Sequence, residues 1–133
     1  SPVGPDGHSD ADVLIHALMD ALLGAAGLKD IGYYFPPEDD AYKGISSMIL
    51  LKHVNSLLKE RGLEAYNIDI MVISETPKLK PHIDTMKVNL QSVLEIPLDR
   101  ISIKATTNEM LGAIGRCEGI AAQAVVSVYE GEV

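Results

Sequence analysis

The chemistry of this sequence is densest near its start. In Gly7-His8-Ser9-Asp10-Ala11-Asp12-Val13-Leu14-Ile15-His16, side chains able to ligate a metal, move a proton or accept a hydrogen bond crowd together. On a helix, Asp12, His16 and Asp20 fall one turn apart on a single stripe. Leu14, Leu18, Ala21, Leu22 and Ala25 form an opposite, core-facing stripe. Between Val13 and Leu28, His16 and Asp20 are the only ionisable side chains, and Met19 and Leu23 share their side. So apolar a helix is predicted to be buried in a core or against another subunit, where polar groups need partners. Two arrangements supply them: imidazole and carboxylate converging on a cation, or a His–Asp hydrogen bond inside a core. His8 and Ser9, just ahead of the helix, favour the first.

Thr106-Thr107-Asn108-Glu109 is the second cluster. Thr106-x-x-Glu109 has the spacing of a capping box opening a short turn. The same hydroxyls and free N–H groups can bind phosphate, with the carboxylate holding a divalent ion beside it. Spacing alone leaves both open. Lys78 and Lys80 stand in a proline-bounded loop, where they either meet an anionic ligand or are plain surface lysines. Gly112, Gly115 and Gly119 bracket Arg116-Cys117-Glu118 without the strand-to-helix context of a dinucleotide fingerprint. Arg116 and Glu118 read as a structural pair, and no neighbour marks Cys117 as a nucleophile.

The elements that must position these groups follow from periodicity. A first helix is predicted from near Asp12, where Ser9-x-x-Asp12 resembles a capping box, to Gly27. Residues 29–32 read as a turn. The aromatic, acidic loop Tyr33–Asp40 either connects or lines a pocket. A second helix spans Ser46–Arg61 and stops at Gly62, with Ile49, Leu50, Val54, Leu57 and Leu58 at helical spacing and His53 on the charged side. Tyr66–Ile73 reads as a strand. A third helix begins near Pro81, carries Ile83, Met86, Leu90, Val93 and Leu94 inward, and ends before Pro97. Ile101–Ala105 is a short strand, and the more apolar Ile120–Tyr129 suits a central, buried position. This order predicts one α+β domain over residues 1–133, a small mixed sheet with helices on one face. The apolar first helix and acidic charge suggest a homo-oligomer with shared sites.

Composition narrows the function. With 133 residues the chain builds one core. A net charge of −8 and an isoelectric point of about 4.8 disfavour nucleic acid as a partner. Any anionic small substrate then needs metal ions, local lysines or helix N-termini. Cys117 is alone, which excludes an intrachain disulfide and points to a reducing compartment. No apolar run has the length a membrane helix requires.

Taken in order, several blocks resemble the methylerythritol cyclodiphosphate synthase family. They are Gly7-His8-Ser9-Asp10-Ala11-Asp12 with His16 and Asp20-Ala21-Leu22-Leu23-Gly24, then Asp30-Ile31-Gly32 with Phe35-Pro36, Pro77-Lys78 with Pro81-His82, Lys104-Ala105-Thr106-Thr107-x-Glu109, and Gly115-Arg116-x-Glu118-Gly119. The resemblance spans essentially the whole chain. It implies a homotrimer with active sites between subunits. The implied reaction is cyclisation of 4-diphosphocytidyl-2-C-methyl-D-erythritol 2-phosphate to 2-C-methyl-D-erythritol 2,4-cyclodiphosphate, with release of CMP. This is a metal-dependent phosphorus–oxygen lyase step of non-mevalonate isoprenoid synthesis, in a bacterial cytoplasm or a plastid stroma. Zn²⁺, together with Mg²⁺ or Mn²⁺, is the implied cofactor set. A catalytically silent trimeric module, binding cytidine nucleotide or isoprenoid diphosphate or ending a fused pathway enzyme, is the alternative.

The resemblance also implies residue roles. His16 becomes a zinc ligand and Glu109 supports the second metal. His8 and Thr107 become catalytic, with His8 and Ser9 on the substrate phosphate. Asp30, Ile31 and Gly32 border the methylerythritol, and Phe35 and Asp39 belong to a substrate loop. Ser74, Pro77, Lys78, Leu79 and Lys80 form the cytosine pocket, with Lys78 on the diphosphate. Thr106 and Thr107 hold phosphate oxygens, and Arg116 lies near a trimer-axis cavity that takes isoprenoid diphosphates in some members. Family members carry an Asp-x-His pair, holding the other two zinc ligands, ahead of the position of Ser1. Its absence implies that the chain is N-terminally incomplete. Pro37 stands where Asp is usual, and Asn108 where Thr is.

Overall fold

The computed structural model describes residues 6–39, 41, 46–74, 79–107 and 120–131, with only the backbone of 6–10. Its centre is β1 (Leu63–Ile73), in which Ile68, Ile70 and Val72 alternate onto one buried face. β2 (Ile101–Thr106) pairs parallel to β1, placing Ile101 and Ile103 beside Ile68 and Ile70. β3 (Ala121–Glu130) pairs antiparallel on the other side and adds Ala122, Ala124 and Val126 to the same face. Among the described residues the sheet is therefore mixed and three-stranded, in the order β2-β1-β3.

Three helices cover that face: α1 (Asp6–Ala25), α3 (Ser47–Glu60) and α4 (Ile83–Leu94), the last carrying the parallel crossover from β1 to β2. The α1 core stripe is wider than one column of leucines. Leu14, Ile15, Leu18, Met19, Leu22, Leu23 and Ala26 are all buried, against β3, β1 and α3. The helix closes on a Schellman motif: Leu28 N–H donates to Leu23 O at 2.8 Å and Gly27 N–H to Gly24 O at 3.0 Å. Gly27 takes the left-handed φ of 72° that this cap demands. α3 starts on Ser46, whose Oγ accepts from Met48 N–H, and stops at Gly62. Lys59 Nζ donates to Glu95 Oε1 at 2.8 Å, tying α3 to the end of α4. That bond holds the Glu95 carboxyl below its usual range and raises the lysine; both groups are exposed, so little stability follows.

Several sequence expectations change. α1 begins at Asp6 rather than near Asp12, so Ser9 lies inside the helix rather than capping it. Residues 31–34 form a one-turn helix, α2 (Ile31–Tyr34), where a turn was expected, because Asp30 caps it. Ile49 is exposed on α3 and Leu51 takes the buried place. Among the described residues, β3 is an outer strand with one face inward, not a central one. Its outward face mixes Gln123 and Ser127 with Tyr129 and with Val125, which is 71% exposed.

Candidate functional site

The Asp12–His16 stripe opens on a cleft of about 330 Å³, within the range of small-molecule sites. α1 supplies Asp12 and His16; Ile31 and Gly32 come from α2; Phe35 and Pro37 follow it; Ser47 and Leu50 come from the start of α3. The cleft thus pairs a carboxylate and an imidazole with a largely apolar wall. His16 is exposed, so its ring does not plug the core.

His16 is held by a backbone contact. Its Nδ1 lies 2.7 Å from Asp12 O, a carbonyl that can only accept, so Nδ1 carries the hydrogen and the lone pair is on Nε2. This is how a metal-binding imidazole is commonly oriented. The Asp12 carboxylate, one turn earlier, accepts from Ser47 Oγ at 2.7 Å, which joins α1 to the first residue of α3. Ser47 is almost fully buried. Ser47→Ala removes a charge-assisted bond and is expected to cost about 1–2 kcal/mol, read as a lower urea midpoint with unchanged slope.

Of residues 30–32, two line the cleft and one does not. Asp30 Oδ1 accepts from Tyr33 N–H at 3.1 Å and caps α2, while Ile31 and Gly32 face the cleft. Phe35 lines it too, with its ring 6.0 Å from that of His53 and edge-on to it. His53 is exposed, as expected, and does not itself line the cleft. Asp39 is not part of the wall; its Oδ1 accepts from Ala41 N–H, and Pro37 takes the lining position instead.

A second group gathers at the C-terminal ends of the parallel strands β1 and β2, the end of such sheets where ligands bind. Ser74 N–H donates to Thr106 O at 2.9 Å, joining the two strand ends. Thr106 and Thr107 are exposed there, and Thr106 Oγ1 lies 3.4 Å from Thr107 O. Lys80 is exposed in a 3₁₀ turn (Lys80–His82). Leu79 is fully buried, so its side chain belongs to the core and only its backbone is left for a ligand. None of these residues lines the His16 cleft. Pro77, Lys78, Glu109 and Arg116, and the side chains of His8 and Ser9, lie outside the described residues.

Sequence reasoning missed Ser47, Leu50 and the partner of Asp12. Ser46-Ser47 ahead of an apolar run signals a cap, but nothing in it says that the second serine reaches another helix.

The YgbB family model matches residues 1–129. The chain belongs to the YgbB family. Relatives of this YgbB chain carry the name 2-C-methyl-D-erythritol 2,4-cyclodiphosphate synthase. That of Synechococcus elongatus is 59% identical over 123 residues, covering 92% of this chain and 77% of its own length. That of Chloroherpeton thalassium is 56% identical over 122 residues, covering 92% and 78%. Among solved structures, the bifunctional IspDF of Campylobacter jejuni matches with a TM-score of 0.83 and 46% identity, over 87% of this chain but 31% of that one. The Plasmodium falciparum IspF complex with CDP matches with a TM-score of 0.78 and 31% identity, over 90% and 72%. By name, the YgbB relatives are enzymes. No helix among the described residues is long and apolar enough to cross a membrane.

Proposed function

We propose that this chain cyclises 4-diphosphocytidyl-2-C-methyl-D-erythritol 2-phosphate to 2-C-methyl-D-erythritol 2,4-cyclodiphosphate, releasing CMP, as a phosphorus–oxygen lyase of isoprenoid synthesis. The observation that carries it is the cleft that sets His16 beside Ile31 and Gly32, in a chain 59% identical to a synthase of that name. A silent binding module is not favoured, because the cyanobacterial and Chloroherpeton relatives carry the synthase name. Both organisms are bacteria, which supports a bacterial cytoplasm as its place.

An oxygen of the 2-phosphate attacks the β-phosphorus of the CDP arm. The bond from that phosphorus to the bridging oxygen breaks, and the electron pair departs with CMP. Substrate supplies both nucleophile and leaving group, so the protein's work is positioning and charge neutralisation. Ile31, Gly32 and Phe35 wall the cleft. Asp12 braces α1 against α3 through Ser47, and both helices line the cleft. His8 and Ser9, at the start of the same helix, meet the phosphate in this reading, as do Thr106 and Thr107.

The donor chemistry of His16 fits a divalent cation, for its hydrogen-bonded Nδ1 leaves Nε2 with the lone pair. Among the described residues no three His, Cys, Asp or Glu side chains gather into a metal site, so the other donors, Glu109 for the second ion included, are sought outside them. A divalent ion held by His16 would supply charge neutralisation and polarisation at the diphosphate.

The trimer belongs to the same proposal. Among the described residues, the sheet face opposite the helices carries Val125, Tyr66 and Tyr129, all exposed. An exposed apolar patch of this kind suits an oligomer interface. Because the Thr106 group does not line the His16 cleft of its own chain, a neighbouring copy that supplies it completes a shared site. Arg116 and an isoprenoid diphosphate at the trimer axis extend the reading.

The test is direct. Full chain with Zn²⁺ and Mg²⁺ is expected to convert the CDP-linked substrate to CMP and cyclic diphosphate in equal amounts. Folded, metal-loaded protein that forms no CMP overturns the activity.

A further inference from the structure

α2 is a single turn, and so short a helix does not hold its own geometry, since forming a first turn fixes several residues for one hydrogen bond. Two carboxylates take up N–H groups at its start. Asp30 is local: it accepts from Tyr33 N–H and travels with the turn. Asp20 is not local. It projects from α1, one turn beyond His16, and its Oδ1 accepts from Ile31 N–H at 3.0 Å across eleven residues of chain. The Schellman cap and the Lys29–Asp30 link lie between them. Ile31 and Gly32 wall the cleft that also holds His16, whereas Asp20 does not line it.

We infer that Asp20 is a positioning residue: it fixes the Ile31–Gly32 wall relative to His16 and so determines how the substrate is seated. It acts through the Ile31 amide, without touching the ligand. The Asp12–His16–Asp20 stripe then has a division of labour, with Asp12 bracing α1 against α3, His16 facing the cleft, and Asp20 holding α2. The carboxylate-to-amide bond is charge-assisted, so it is stronger than an ordinary loop contact. The inference rests on reading the cleft as the substrate site.

Two variants of the full chain, Asp20→Ala and Asp20→Asn, separate this role from general stability. Asn keeps an Oδ1 acceptor and Ala has none. Both are checked for folding by far-UV circular dichroism. Amide exchange of Ile31, followed by NMR without ligand, is expected to accelerate about 10- to 100-fold in Asp20→Ala and to stay near wild type in Asp20→Asn. In cyclisation assays Asp20→Ala is expected to raise KM about 10-fold with a smaller change in kcat, and Asp20→Asn to restore KM. Unchanged Ile31 exchange in Asp20→Ala overturns the inference, as does faster exchange with wild-type KM. If wild-type protein forms no CMP while Ile31 loses protection only in Asp20→Ala, the proposed activity falls and the tether stands.

Discussion

His16→Ala is expected to lower kcat/KM for CMP release by at least about 100-fold and to strip the protein of zinc, while leaving the urea midpoint of the metal-free protein close to that of metal-free wild type. The imidazole is exposed, and its Nδ1 bonds back to its own helix through Asp12 O. Alanine there loses no core contact and is the best helix former, so stability changes stay within about 0.5 kcal/mol. A cation beside a diphosphate is another matter. Charge stabilisation in a partly enclosed site is usually the largest single contribution to catalysis, and the donor that holds the ion carries that contribution. Metal analysis of purified protein alongside steady-state kinetics checks both halves. Unchanged zinc stoichiometry in His16→Ala removes the ligand role.

Val125→Lys is expected to convert the proposed trimer to monomers and, with it, to abolish most cyclisation. Val125 is 71% exposed on the outer face of β3 and pairs with Asp69 of β1. A lysine there is compatible with the isolated fold, since Lys104 Nζ already stands on the same face 2.8 Å from Asp69 Oδ1. Between packed copies the same charge loses its hydration, and an unpaired buried ammonium costs far more than the packing of one aliphatic side chain can offset. The Tyr66–Tyr129 pair, edge-on with centroids 5.8 Å apart and Arg100 over the Tyr66 ring, marks the other end of this face. Light scattering after gel filtration reads the mass, and activity measured on the same fractions tests whether the Thr106 group must come from a second copy. A fully active monomer rules out the shared site.

Much of the fold was legible because its signals are local. Ser46 and Gly62 bound α3, since a hydroxyl cap and a left-handed glycine are properties of the residues themselves. The helical spacing of Leu14, Leu18 and Leu22 marked the α1 core face, and alternation marked β1, whose pairing begins three residues earlier than the sequence suggested because a bulge at Ala65–Asn67 shifts the register. The position of β3 was not legible. A run rich in Ala and Val looks alike whether its second face meets helices or another chain.

The site divides along the same line. Residue types and spacing singled out His16, Thr106 and Thr107, because metal ligands and paired hydroxyls carry their chemistry wherever they sit; Asp30, Ile31 and Gly32 read only as a turn until the family resemblance marked them. Tertiary structure decided which of them meet: α1, α2 and α3 converge on the His16 cleft, and the Ser74–Thr106 strand ends stand apart from it. It also decided that Asp12 turns to Ser47 and Asp20 to Ile31. A hydrogen bond between residues far apart in the chain is set by how helices pack, and packing is governed by the shape and volume of the whole core rather than by the two residues it brings together.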